Sequence, residues 1–264
     1  MAKSEPFIAV ENLVVRYGDR TVLDGVSFEV RQGEIFVILG GSGSGKTTLL
    51  RTLVGLKRPA AGRIFFHGED FTTKSEGELI ELRKKMGMSF QGSALLKSIS
   101  LADNVALPLR EHTALEESTI DIMTRIKLEL VGLGGFENYL PSELSGGMKK
   151  RAGIARAMAM DPEIIYYDEP SAGLDPIVAA GIDGLIRKMQ ETFKLTSVVV
   201  THEMESVRLI ADSVCMLKGG RVVGVGTLDE LERSDHPYVQ QFFARRPDDE
   251  SEDSSYARVL TGLE

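Results

Sequence analysis

EIFVILGGSGSGKTTLLRTLVGL, residues 34–56, joins an unbroken apolar run to a glycine-rich loop and then to a helical pattern. An apolar run of that length is expected of a strand buried on both faces of a parallel sheet. The loop that follows, Gly40-Gly41-Ser42-Gly43-Ser44-Gly45-Lys46-Thr47, matches G-x-x-x-x-G-K-[ST] in its confirming context, after a strand and before a helix. Glycines without side chains let successive backbone N–H groups curl around phosphate oxygens, and the start of the helix adds the positive end of its dipole. Lys46 is placed to reach β- and γ-phosphates, Thr47 to offer its hydroxyl to a magnesium ion, and Thr48 to line the same site.

Working outward, 264 residues suffice for one large core or a domain with an inserted lobe. The formal charge of -8 leaves no electrostatic footprint for nucleic acid. The single cysteine, Cys215, lies in the apolar run SVCML, which predicts a buried thiol and no disulfide framework. MAKSEPFIAV lacks the apolar core of a signal peptide, and no apolar run approaches the about 18 residues needed to cross a bilayer. Residues 7–18 and 26–33 read as antiparallel strands, with Val26, Phe28 and Val30 alternating with Ser27 and Glu29. EIIYYDEP and TSVVVTHE read as further buried strands, each followed by a helical pattern, which makes the fold α/β with a parallel, helix-flanked sheet. A mostly helical lobe is expected at about 93–160, and Gly219-Gly220 predicts a tight hairpin. The domain is expected to span 1–246. An acidic tail follows at 247–264, in which Tyr256, Val259, Leu260 and Leu263 line one face of a short helix, either docking on another subunit or remaining disordered.

The strand IIYYDEP delivers Asp168 and Glu169 to the carboxyl edge of the sheet, where the glycine loop also emerges. Asp168 suits holding a magnesium shell, and Glu169 suits polarising or deprotonating a water that attacks the γ-phosphate. His202 ends VVVTHE at the same edge and is placed to bond the γ-phosphate and orient that water. Gln91, after MGMSF, offers an amide to magnesium or the water, and Tyr17 a ring for adenine. LSGGMKKR, residues 144–151, is a second anion site. Ser145 is a good N-cap, and the bare N–H groups of Gly146 and Gly147 have no ligand assigned in their own chain.

Tyr17, GGSGSGKT, Gln91, LSGGM, IIYYDEP, SAGLDP and His202, in that order, resemble the ATP-binding-cassette ATPases over residues 7 to about 232. The resemblance implies a P-loop NTPase (RecA-like) core with an antiparallel β subdomain and an inserted α-helical subdomain. It also implies ATP and Mg2+ as ligands, and a head-to-tail dimer in which Ser145, Gly146 and Gly147 act on the partner's nucleotide while Asp175 of SAGLDP lines the seam. Met148 departs from the family's usual glutamine and so loses a capping-box bond, a small loss that leaves hydrolysis intact. MSFQGSALLKSISLADNVALPLREHT, residues 88–113, is similar to the MlaF-like ATPases of Mla/Mce-type phospholipid transport systems, which maintain outer-membrane lipid asymmetry. That similarity implies a peripheral subunit on the cytoplasmic side of the inner membrane, bound to an integral permease, with an MCE-domain lipid-binding protein and a STAS-domain protein as further partners. A small-solute importer ATPase and a soluble ABC ATPase are the alternatives.

Overall fold

The structure is a computed structural model that describes residues 5–247. The acidic run and the helix expected at its end lie outside the described residues. The chain begins with strands β1 (Ile8–Tyr17), β2 (Arg20–Val30) and β3 (Ile35–Gly40), helix α1 (Lys46–Leu53), strands β4 (Ala61–Phe66) and β5 (Glu69–Asp70), helix α2 (Glu76–Arg83) and strand β6 (Met86–Ser89). Three helices follow, α3 (Leu101–His112), α4 (Glu117–Leu130) and α5 (Gly146–Ala157), with a 3-10 turn at Pro141–Glu143 before the last. Then come β7 (Ile164–Asp168), α6 (Pro176–Phe193), β8 (Thr196–Thr201), α7 (Met204–Ile210), β9 (Ser213–Lys218), β10 (Arg221–Gly226), α8 (Leu228–Glu232) and α9 (Pro237–Phe243).

Two sheets result. One is antiparallel in the order β2-β1-β4-β5, and the other runs β10-β9-β3-β8-β7-β6. In the second, β3 pairs in parallel with both β8 and β9, β7 with both β8 and β6, and β10 closes the edge antiparallel to β9. All six residues of β3 are buried, as its unbroken apolar run predicts. Because side chains alternate across a strand, its residues serve two cores. Ile35, Val37 and Leu39 pack with Ile165, Tyr167 and Val199 under the helices, whereas Phe36 and Ile38 pack with Tyr166, Val198, the antiparallel sheet and α1.

The first strands follow the two-residue period, with Val26, Phe28 and Val30 buried and Ser27 and Glu29 exposed. β2 nevertheless starts six residues before that alternation, because the β1–β2 register shifts near Val15 and Leu13 break the pattern. The hairpin expected at Gly219-Gly220 joins β9 to β10, both glycines having positive φ. Cys215 is fully buried, and burial pushes its thiol up to about 12.

In residues 93–160 the apolar side chains that follow Gln91 divide. Leu101 and Val105 are core, Leu95 packs partly against it, and Leu96 is exposed. Asn104, fully buried, fastens the stretch before α3: its side-chain oxygen accepts from the Leu96 N–H at 2.7 Å and its amide donates to the Leu96 and Ser100 carbonyls. From α5, Arg156 donates to the Ser93 and Ala94 carbonyls, both at 2.8 Å. The segment after Gln91 is therefore tied to two helices at once.

Truncating Ile38 to alanine removes atoms from the middle of a fully buried strand, with an expected loss of about 2–5 kcal/mol. Glu29→Ala, on the exposed face of β2, is expected to shift stability by less than about 0.5 kcal/mol. Urea unfolding monitored by far-UV circular dichroism measures both.

Candidate functional site: a phosphate loop and a carboxylate edge

The parallel register carries the polar ends of three strands to one level. Val200 of β8 lies beside Ile38 of β3 on one side and Asp168 of β7 on the other. Just beyond that level come Gly40 at the mouth of the glycine loop, Glu169, and His202. The loop's last glycine, Gly45, has φ 103°, and a Cβ there would stand 2.7 Å from the Leu23 side chain. Only glycine gives both the angle and the close approach to β2. Beyond it α1 opens at Lys46, so its first N–H groups face the loop. Lys46 is buried, and its Nζ donates to the Gly40 and Gly41 carbonyls at 2.7 and 2.9 Å. Burial lowers its pKa, against the opposing pull of the Glu169 and Asp168 charges. Ser42 and Gly43 are exposed at the crest of the loop, Thr48 lies half-buried on α1, and Ser44 is buried with its carbonyl accepting from the Gly220 N–H at 3.1 Å.

Thr47 Oγ1 donates to Asp168 Oδ1 at 3.4 Å, which joins the first turn of α1 to the end of β7. Burial, and next the neighbouring Glu169 charge, raise the pKa of Asp168. Glu169 takes φ 48°, the left-handed region, which costs a non-glycine residue about 1–2 kcal/mol. Its main chain is held from both sides: the N–H donates to the Val200 carbonyl at 2.9 Å, and its own carbonyl accepts from Lys150 Nζ at 2.7 Å. Glu169 Oε1 meets His202 Nδ1 at 2.8 Å. An ionised carboxylate only accepts, so Nδ1 is then the protonated nitrogen of the ring. Glu169 Oε2 is buried without a protein partner. A carboxylate with one oxygen oriented and the other free to accept is suited to taking a proton from water.

The other expected residues occupy four further places. Tyr17 ends β1 with its ring 45% exposed, and Lys57 Nζ sits 4.4 Å over it. Gln91 follows β6, the strand beside β7, and is exposed at the same edge. Ser145 caps α5, its Oγ accepting from the Met148 N–H at 3.2 Å, with Gly146 exposed beside it. Gly147 is buried, and a Cβ there would come within 2.5 Å of the Val178 side chain, so this glycine also lets α5 lie close against α6. Met148 packs partly against the main core. Asp175 caps α6, its Oδ1 accepting from the Ile177 and Val178 N–H groups, both at 3.1 Å, while the Ile177 side chain stands 85% exposed.

The two glycine loops have different neighbours: the phosphate loop adjoins β2, β9 and Gly220, whereas the Ser145 loop adjoins α6 and Leu174. Sequence reasoning passed over Lys150. The signal lay in its spacing, because Gly147, Lys150, Ile154 and Ala157 form the buried stripe of α5 and put a lysine on an apolar face. Tyr238 was also missed; its hydroxyl lies 3.2 Å from where a Gly41 Cβ would stand.

Comparison with known proteins gives the family of the chain. The family model described as ABC transporter matches residues 23–172. The chain belongs to that family, as its ATP-hydrolysing cassette. It is 45% identical over 245 residues to the intermembrane phospholipid transport system ATP-binding protein MlaF of Haemophilus influenzae, covering 93% of each chain. It is also 42% identical to MlaF of Escherichia coli K12, over 85% of this chain and 84% of that one. The probable ribonucleotide transport ATP-binding protein mkl of Mycobacterium leprae is 43% identical, over 90% of this chain and 69% of that protein. Among solved structures, a dimeric ATP-binding cassette in a post-hydrolysis state with ADP and Pi superposes with TM-score 0.77 at 30% identity, over 84% of this chain and 98% of that one. For cbiO1 of Clostridium perfringens the TM-score is 0.80 at 30% identity, over 91% and 96%.

Asp168 ionises less readily in the fold than in the unfolded chain, so its charge subtracts stability once pH exceeds the folded pKa and subtracts none below about pH 3.9, the unfolded value. Asp168→Asn is therefore expected to raise the urea midpoint at pH 7, with the gain fading as pH falls toward 4. An equal gain at both pH values would remove the charge as its cause. Met148→Gln is expected to change stability by no more than about 1 kcal/mol and to leave ATPase turnover in place, measured by phosphate release.

Proposed function

We propose that this chain is the ATPase subunit of a phospholipid-transporting ABC system, and that two copies close head to tail over two shared ATP sites. The observation that carries the hydrolytic roles is Glu169, with Oε1 held by His202 and Oε2 buried and unpartnered. Glu169 Oε2 takes a proton from water as the water oxygen bonds to the γ-phosphorus, the bond to the bridging oxygen breaks, and the departing charge stays on ADP. Lys46 and the loop N–H groups hold the β- and γ-phosphates, and Tyr17 stacks on adenine once Lys57 moves from its face. Thr47 and Asp168 form a hydroxyl–carboxylate pair that fits magnesium, an ion that keeps several waters and takes few protein ligands. Bound there, it would neutralise phosphate charge, with Gln91 reaching it or the water from the neighbouring strand.

The dimer reading rests on the Ser145 loop, a capped helix start with Gly146 exposed and set apart from the phosphate loop of its own chain. The exposed Ile177 beside Asp175 supplies apolar surface for the seam. Residues 93–160 act as the lobe that carries this loop. A groove lined by Met88, Phe90, Leu107, Pro108, Arg156 and Met160 lies next to Gln91 and has the apolar character to receive a short helix from a membrane permease. No described helix is long and apolar enough to cross a membrane. A permease would hold the chain at the cytoplasmic side of the inner membrane, a reading supported by the similarity to MlaF. The phospholipid cargo, and with it an MCE-domain protein and a STAS-domain protein as partners, is supported by the near full-length similarity to MlaF.

Two measurements test this reading. Glu169→Gln is expected to keep ATP binding, slow hydrolysis by at least about a hundredfold, and accumulate a dimer in size-exclusion chromatography with ATP. Turnover at the wild-type rate would exclude Glu169 as the base. Affinity capture from detergent-solubilised membranes should bring down a permease with an MCE-domain protein. Recovery of a solute-binding protein would replace the lipid cargo with a small solute, such as the ribonucleotide named for the mycobacterial relatives, and absence from membranes would favour a soluble ATPase.

A further inference from the structure

Lys150 has no place among the nucleotide-binding groups, yet it is buried, with Nζ bonded at 2.7 Å to the main-chain carbonyl of Glu169. That carbonyl also accepts from the Ala172 N–H at 3.3 Å, so the lysine supplies the shorter, charge-assisted bond of the two. Burying an ammonium is unfavourable unless opposite charge surrounds it. Glu169, Asp168 and Glu203 all act on Lys150 in that sense, against the effect of burial. The residue it grips is the one held at φ 48°, a conformation that persists only where its surroundings enforce it. Lys150 stands on α5, the helix that Ser145 caps. The same helix holds Ser93 and Ala94, just beyond Gln91, through Arg156. One rigid element thus touches the loop proposed to contact the partner's nucleotide, the segment after Gln91, and the main chain of the proposed base.

We propose that Lys150 is a positioning residue for Glu169: its ammonium, carried on α5, holds the Glu169 main chain in the left-handed conformation that turns the carboxylate toward His202. This rests on Glu169 being the base. Lys150 touches no substrate and acts only through Glu169.

The test is steady-state ATPase kinetics on the full chain as a double-mutant cycle of Lys150→Met and Glu169→Gln. Lys150→Met is expected to lower kcat by about ten- to a hundredfold while KM for ATP stays within about twofold. Lys150→Arg, which keeps a charged donor, should restore most of the loss. In the Glu169→Gln background, Lys150→Met should lower kcat by no more than about twofold, because its effect runs through the carboxylate already removed. Should the methionine variant fail to bind a fluorescent ATP analogue, Lys150→Gln, a shorter neutral donor, is expected to show the same split. An equal loss in both backgrounds, a rise in KM without a fall in kcat, or full turnover in the Lys150 variants would each overturn the proposal. Full turnover in Glu169→Gln would remove the base itself, an outcome distinct from loss in Glu169→Gln with full turnover in Lys150→Met, which removes the lysine alone.

Discussion

Strand β3, with β8 on one side and β9 on the other, is buried along its whole length, and β7 continues the parallel set beyond β8. Inside a layer covered on both faces no water reaches the backbone, so every main-chain polar group must be met by a neighbouring strand. This constraint permits little slippage. A shift by one residue would exchange Phe36 and Ile38 with Ile35 and Val37 between two differently shaped cores. Because register is so tightly held, the first residues past the strands, where polar chemistry becomes affordable, fall at one level. Phosphate loop, carboxylate pair and histidine are brought to one edge there by strand pairing.

That edge is electrostatically expensive. Lys46, Lys150, Asp168 and Glu169 are all buried within it, two cations against two carboxylates. The burial that lowers the pKa of each lysine also raises that of Asp168, while the opposite charges act in the contrary direction. In such a cluster the ionisation of each member depends on the others, so changing one shifts the rest. Glu169 adds backbone strain, and the bonds that restrain it come from β8, α5 and the following turn. The site is thus rigid in its ground state and connected to α5, the helix that begins at the second glycine loop.

Much of this was legible in the residues. The apolar run ending in GGSGSGKT specified a doubly buried strand, a phosphate loop and a helix, and IIYYDEP and VVVTHE specified two more strands ending in acid and histidine. Ser145 read correctly as a helix start, because capping is a local chemistry of neighbouring residues; Asp175 caps α6 in the same way, a local mark that went unread. What stayed hidden was non-local. Strands β4 and β5 follow no long alternation; β4 exists because β1 offers an edge to pair with, and β5 because β4 does. Helix α2 did carry a local mark, the Ser75–Glu78 capping box. The left-handed turn at Glu169 has no signature in the residues; the bonds that hold it come from β8, α5 and the following turn. Asn104 and Arg156 went unread for the same reason: their function as fasteners of the segment after Gln91 depends on carbonyls brought close by folding.

The central claim is that each hydrolytic site joins the phosphate loop of one chain to the Ser145 loop of another. Mixing Lys46→Ala chains, defective in the first loop, with Ser145→Arg chains, defective in the second, tests it directly by phosphate release. Each variant alone pairs every site with one damaged half and should be inactive. In the mixed dimer one site receives both defects and the other receives neither, so turnover should reappear in proportion to mixed dimers formed. Two inactive variants that stay inactive when mixed, despite forming mixed dimers, would contradict a shared site.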